Sequence, residues 1–228
     1  LKGDSLCLNG LTSINKDVAR ELSKYKGGWL SLDGLTSIGK EVAQELVKYK
    51  ETLSLSGLTS IDKDVARELS KLDGTSWVHG LTSIDKEVAQ ELAKCNGSLS
   101  FYNLPSIDKD VAQELVKCEG NLSFHSLPSI DKEVAQELAR HEGHLFIDDR
   151  EQLPEEVAEE LPEMLPDLDL SGLRSIDKDV AQELVKYEGW LSLSGLTSID
   201  KDVARELGRF KSRKLVFSHL TSIDKDVA

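Results

Sequence analysis

Cysteine is scarce, with three in 228 residues and no C-x-x-C pair among Cys7, Cys95 and Cys118. A secreted disulfide framework uses more cysteines in even sets, and a zinc clip needs closely spaced ligands, so neither fits. Unpaired thiols favour a reducing compartment such as the cytoplasm; localisation otherwise stays open. Aromatic residues make up only 5% of the chain. No apolar run reaches the length of a membrane span, so no membrane insertion is expected in this segment. Bases are outnumbered, 28 against 41 acids, for a net charge of −13. A nucleic-acid binder needs a basic surface to displace counterions, so nucleic acid is not an expected partner. Catalytic signatures are missing too. There is no Gly-rich phosphate loop, G-x-S-x-G or H-E-x-x-H, so no enzyme activity and no cofactor is expected. The run from Asp167 to Gly172 opens like a calcium loop, but Lys178 stands where the twelfth-position glutamate belongs.

What the chain has in abundance is self-similarity. The string T-S-I-D-K-D/E-V-A recurs, with isoleucine anchors at 14, 38, 61, 84, 107, 130, 176, 199 and 223. The spacing is 23 or 24 residues, except for one gap of 46, which is twice 23. A degenerate unit fills that gap: Leu153, Val157, Ala158 and Leu161 keep the offsets of Ile130, Val134, Ala135 and Leu138. That makes about ten units. The chain begins at Leu1 and stops at Ala228 partway through the motif, and is expected to be a piece of a longer array.

Each unit carries two periodicities. A short alternating segment, such as Leu53-Ser54-Leu55-Ser56, reads as a strand with one buried face. After the anchor, apolar residues at +4, +5, +8 and +11 (Val65, Ala66, Leu69, Leu72) form one helical stripe, with Lys63, Asp64, Arg67 and Glu68 on the wet side. Asp62 and its equivalents are candidate helix N-caps, with Ser60 and its equivalents as rivals. Glycine thirteen residues past the anchor (Gly27, Gly120, Gly143) suits a left-handed C-cap. Such units cannot bury their apolar faces alone, and stacking them makes one continuous core. Strands about 4.8 Å apart and helices about 8–10 Å apart force the stack to curve, with a parallel sheet on the inside.

The run Leu-x-Leu-x-Gly-Leu-Thr-Ser-Ile, as in Leu53–Ile61 and Leu191–Ile199, resembles the leucine-rich repeat, and the likeness covers residues 1–228 as one solenoid domain. It is most similar to near-identical tandem arrays of bacterial repeat proteins. The resemblance implies an α/β, right-handed horseshoe and a protein-binding role, which is a statement about fold and not about a site. The family's ladder asparagine is replaced here by Leu58, Leu81 and Leu104. The serine before each anchor is the candidate substitute.

Frame residues in an array are structural, so candidate function lies where units differ on the open sheet face. Its three outward columns, at offsets −9, −7 and −5, are mostly small and polar. The large or titratable exceptions cluster in units four to seven: Trp77, His79, Tyr102, His125, His144, Phe146 and Asp148. Aromatics with polar handles are typical anchors for a protein or peptide. Drift on a tolerant surface is the plain alternative. A structural or cell-surface spacer array, with no ligand on this segment, is the rival function. A shared metal ion on His79, Tyr102, His125 and Asp148 is disfavoured. The two histidines stand two strands apart, about 9.6 Å, whereas metal–nitrogen bonds are about 2.1 Å.

The acidity is local. Residues 142–169 hold eleven acids and one base, a net of −10 out of −13, leaving −3 for the rest. They span the irregular seventh unit, which carries Pro154, Pro162 and Pro166. A partner of the aromatic patch is therefore expected to carry a basic patch.

Overall fold

The structure is a computed structural model that describes residues 4–72, 79–95, 97–127, 130–147, 154–160, 167–211 and 213–223. Strand and helix alternate as the repeat dictates. The main strands are β1 (Ser5–Cys7), β2 (Trp29–Ser31), β3 (Thr52–Ser54), β4 (Leu99–Phe101), β5 (Leu122–Phe124), β6 (Leu145–Ile147), β7 (Asp167–Asp169), β8 (Trp190–Ser192) and β10 (Lys214–Val216). A second parallel pair, β9 (Ser198–Ile199) and β11 (Ser222–Ile223), lies at the anchors. The helices are α1 (Lys16–Leu22), α2 (Lys40–Leu46), α3 (Lys63–Leu69), α4 (Lys86–Leu92), α5 (Lys109–Leu115), α6 (Lys132–Leu138), α7 (Glu155–Ala158), α8 (Lys178–Leu184) and α9 (Lys201–Leu207).

The pairing is parallel and in register, repeat against repeat. β1, β2 and β3 form one run; β4, β5, β6, β7, β8 and β10 form another. Leu99, Leu122, Leu145, Leu168 and Leu191 face one another in turn, and each is buried. With the valine, alanine and leucine of most helices they make one continuous core, whereas Val18 of α1 is exposed. This is an α/β, leucine-rich-repeat-like solenoid. No described helix is long and apolar enough to cross a membrane.

The rivalry of caps resolves in favour of aspartate. The Asp62, Asp85, Asp108, Asp131 and Asp177 carboxylates each accept from the N–H of the valine three residues on, at 2.8–2.9 Å. The helices are shorter than the apolar stripe implies, ending at offset +8. The residue at +11 reaches the core from the turn beyond: Tyr49, Cys95, Cys118, His141 and Tyr187 are buried there. Tyr49 donates its hydroxyl to the Gly27 carbonyl of the preceding repeat at 2.7 Å.

Three further expectations are corrected. Gly27, Gly120 and Gly143 do not adopt the left-handed region; their smallness admits neighbouring chain. A Cβ on Gly120 would lie 2.4 Å from the Gly97 carbonyl carbon. The turn before the anchor is tied by threonine where serine was the candidate. Thr59 and Thr82 each donate N–H and hydroxyl to the threonine carbonyl of the previous repeat, and Thr221 does so to Thr197. Pro105 takes the threonine position in unit five and has no N–H to give. Glu68, placed on the wet side, is buried, as are Glu45, Glu91, Glu114, Glu137 and Glu206. Each of these pairs with the lysine or arginine three residues on. Several also reach the previous repeat, as in Arg67–Glu91 at 3.1 Å and Gln113–Glu137 at 2.9 Å.

Candidate functional site

The 23-residue period places one offset at the same height on successive strands. Strands sit about 4.8 Å apart, inside the range of about 4.5–7 Å at which aromatic rings attract. Rings at one offset therefore stack without further adjustment, and they do. His79 meets Tyr102 edge to face, with centroids 4.7 Å apart. Tyr102 lies flat on His125 at 4.1 Å, and His125 is tilted, across to the neighbouring column, against Phe146 at 5.2 Å. Four rings from four successive units thus form one ladder. Tyr102, in its middle, is 44% exposed. Asn103 helps to hold it by donating Nδ2 to the His79 carbonyl at 3.2 Å.

A second stacked pair lies on the buried side of the same sheet. Phe101 and Phe124 occupy the core column where Leu32, Leu55 and Leu193 stand elsewhere, and their rings stack at 5.5 Å. The replacement of Leu by Phe is readable in the sequence, but at offset −6, on the buried side of the strand between the outward columns.

His144 is not on the ladder. It is exposed, and its Nδ1 stands 3.1 Å from Asp167 Oδ2 on the next strand. Trp77 and Asp148 lie outside the described residues. The structure therefore brings His79, Tyr102, His125 and Phe146 together and sets His144 beside them with Asp167. Among the described residues, which do not include Asp148, no group of three or more His, Cys, Asp or Glu is placed to hold an ion.

Burial lowers the His79 imidazole below its ordinary pKa, and the charge of His125 adds to this, while Asp33 opposes it. Asp33 itself sits in a closed network. Burial works to raise its carboxyl, but donation from Ser54, Ser31 and the Ser56 N–H prevails and holds it below the ordinary value. The bonds are 2.6, 2.7 and 2.8 Å. Ser31 and Ser54, though on the outward column, are consequently buried, as is Ser192. The open face thus differs along its length. In repeats two and three its polar groups satisfy one another; from His79 to Phe146 it presents rings.

A cavity of about 240 Å³ adjoins the end of the ladder. Phe146 and His144 line one side, Asp167, Asp169 and Trp190 the other. Sequence reasoning placed these last three in the outward columns but left them out of the patch.

The sequence matches no family model, and no curated protein matches it. Among solved structures it is similar to a chain of the Toll–Spatzle complex of Drosophila, at 13% identity and a TM-score of 0.45, over 93% of this chain and 39% of that one. The glycosylated form of that complex gives 14% and 0.45 over the same shares. An internalin of Listeria monocytogenes gives 16% and 0.38, over 92% of this chain and 83% of its own. The chain thus spans about two fifths of the length of the Toll-complex chains it matches.

Proposed function

We propose that this chain is a non-catalytic scaffold that binds a protein or peptide through the concave face of its sheet. The observation that carries the reading is the ladder of rings from His79 to Phe146, with Tyr102 exposed at its centre. Large rigid rings bury much area at small entropic cost, which makes them effective anchors. The helical side supports the reading by contrast. Many of its charges are engaged within the chain, helix to helix, as in Lys40–Asp64 and Lys109–Glu133. His144 and the acids beyond the ladder favour a partner with basic character on that side.

The rival reading is a spacer array with no ligand on this segment. The closed Asn9–Ser31–Asp33–Ser54 network favours it for the first three repeats, where the face offers little unsatisfied polarity. Selecting a random peptide library on the purified chain separates the two. With a selected peptide bound, amide exchange is expected to slow across β4, β5 and β6. Slowing confined to the helices would overturn the concave-face reading.

A further inference from the structure

We infer that the cavity beside the ladder is a receptor for an arginine side chain presented by the protein or peptide partner. This rests on the concave-face reading and adds a ligand chemistry to it. The cavity, of about 240 Å³, spans β5 to β8 and is bounded by Ser123, His144, Phe146, Asp167, Asp169 and Trp190. Its two carboxylates stand on one strand, β7, at adjacent outward positions. Among the described residues neither meets a lysine or an arginine. Their recorded partners are weak claims on the charge: His144 Nδ1 at 3.1 Å from Asp167 Oδ2, and the Ser171 N–H at 2.9 Å from Asp169 Oδ1. This contrasts with the buried helix glutamates, each of which holds a lysine or arginine of its own chain.

The rings decide which cation fits. Phe146 stands on β6 and Trp190 on β8, the strands on either side of β7. Their backbones are separated by roughly 9.6 Å, which leaves room for a planar group over the acids. A guanidinium is planar, weakly hydrated, stacks on aromatic faces, and forks its N–H donors toward carboxylates. An ammonium is a compact, strongly hydrated point charge and gains less from such walls. Two half-buried carboxylates, two rings and an open mouth are thus complementary to arginine in both charge and shape.

The probe is N-acetyl-arginine methylamide, titrated into the purified chain while the indole N–H signals of Trp29, Trp77 and Trp190 are followed by NMR. The Trp190 signal is expected to shift and saturate, with no matching shift of Trp29. The citrulline analogue has nearly the same shape and no charge, and is expected to leave Trp190 unmoved. The lysine analogue is expected to bind more weakly, and Asp167→Asn with Asp169→Asn to weaken the arginine probe about tenfold. An unmoved Trp190 signal, equal binding of citrulline or lysine, or an undiminished titration in the double variant would each overturn the proposal. Tyr102→Ala separates this from the wider reading. It is expected to leave the arginine titration unchanged while weakening a selected peptide. Peptide binding that needs Tyr102 but ignores both aspartates would retain the ladder and remove the pocket.

Discussion

The ring of Tyr102 lies on the ring of His125, centroids 4.1 Å apart and planes 10° from parallel. The two residues are 23 positions apart, one repeat, so the stack follows from register. Any pair of rings at this offset in adjacent repeats would be set at about the strand spacing. The repeat is thus a device that turns a chosen column into a continuous surface, and this chain fills one stretch of one column with rings.

His79, at one end of the ladder, gives the fold a pH dependence near neutrality. Its pKa when folded lies below the ordinary 6.5, chiefly through burial. The unfolded chain therefore takes up the proton first as pH falls. Stability is full above about 6.5 and declines below it, until the folded state is protonated as well. Melting temperature measured from pH 8 to pH 5.5 should fall in the wild type and fall less in His79→Asn.

The buried helix glutamates act in a separate, lower window. Glu68, Glu91 and Glu114 are held below the ordinary 4.5, first by hydrogen bonds from Lys71, Lys94 and Lys117. Their contribution is present above 4.5 and is lost as pH drops through the folded values. Denaturant titrations between pH 6 and pH 3 should show stability falling below 4.5, with a shallower fall in Glu91→Gln.

Glycine substitutions should divide by what stands opposite them. A Cβ on Gly57 would sit 1.9 Å from the Asp33 carbonyl oxygen, whereas nothing lies within 4 Å of one on Gly10. Gly57→Ala should cost about 1–3 kcal/mol by forcing two backbones apart. Gly10→Ala should be neutral or slightly stabilising, by about 0.4–1 kcal/mol at most. Urea unfolding of the two variants checks the contrast.

Thiol chemistry should report burial directly. Cys7 is exposed, while burial pushes Cys95 up to about 12 and Cys118 up to about 11. A thiol rather than a thiolate reacts poorly. Iodoacetamide at pH 8 should label one cysteine in the folded chain and all three in denaturant, as read by mass spectrometry. Labelling of Cys95 in the folded chain would contradict the core described above.

Most of the frame was legible because a repeat states its own period. The strand leucines and the helix valines and alanines all follow from one offset table. The same table narrows the cap only to aspartate or serine, and the choice rests on the carboxylates of Asp62 and its equivalents accepting from the valine N–H. The helix end was misread for a physical reason. An apolar residue at +11 continues a helical stripe on paper, but Tyr49 and His141 reach the core from the turn after the helix. Residue identity also could not tell a glycine that needs a left-handed backbone from Gly120, which needs to be small. At the candidate site, Tyr102 and His125 share a column and were readable together. The contact of His125 with Phe146 runs diagonally between columns, and the cavity joins two columns across four strands. Neither shows in a column read singly.

The most direct test of the account is the dissociation constant of a peptide selected on the wild-type chain, measured by calorimetry against Tyr102→Ser/His125→Ser. Serine occupies this column in repeats three and nine, at Ser56 and Ser194, so the frame accommodates the change. The account predicts a weakening of about tenfold to a hundredfold with the fold intact, as expected for removal of central anchors. An unchanged dissociation constant would contradict it.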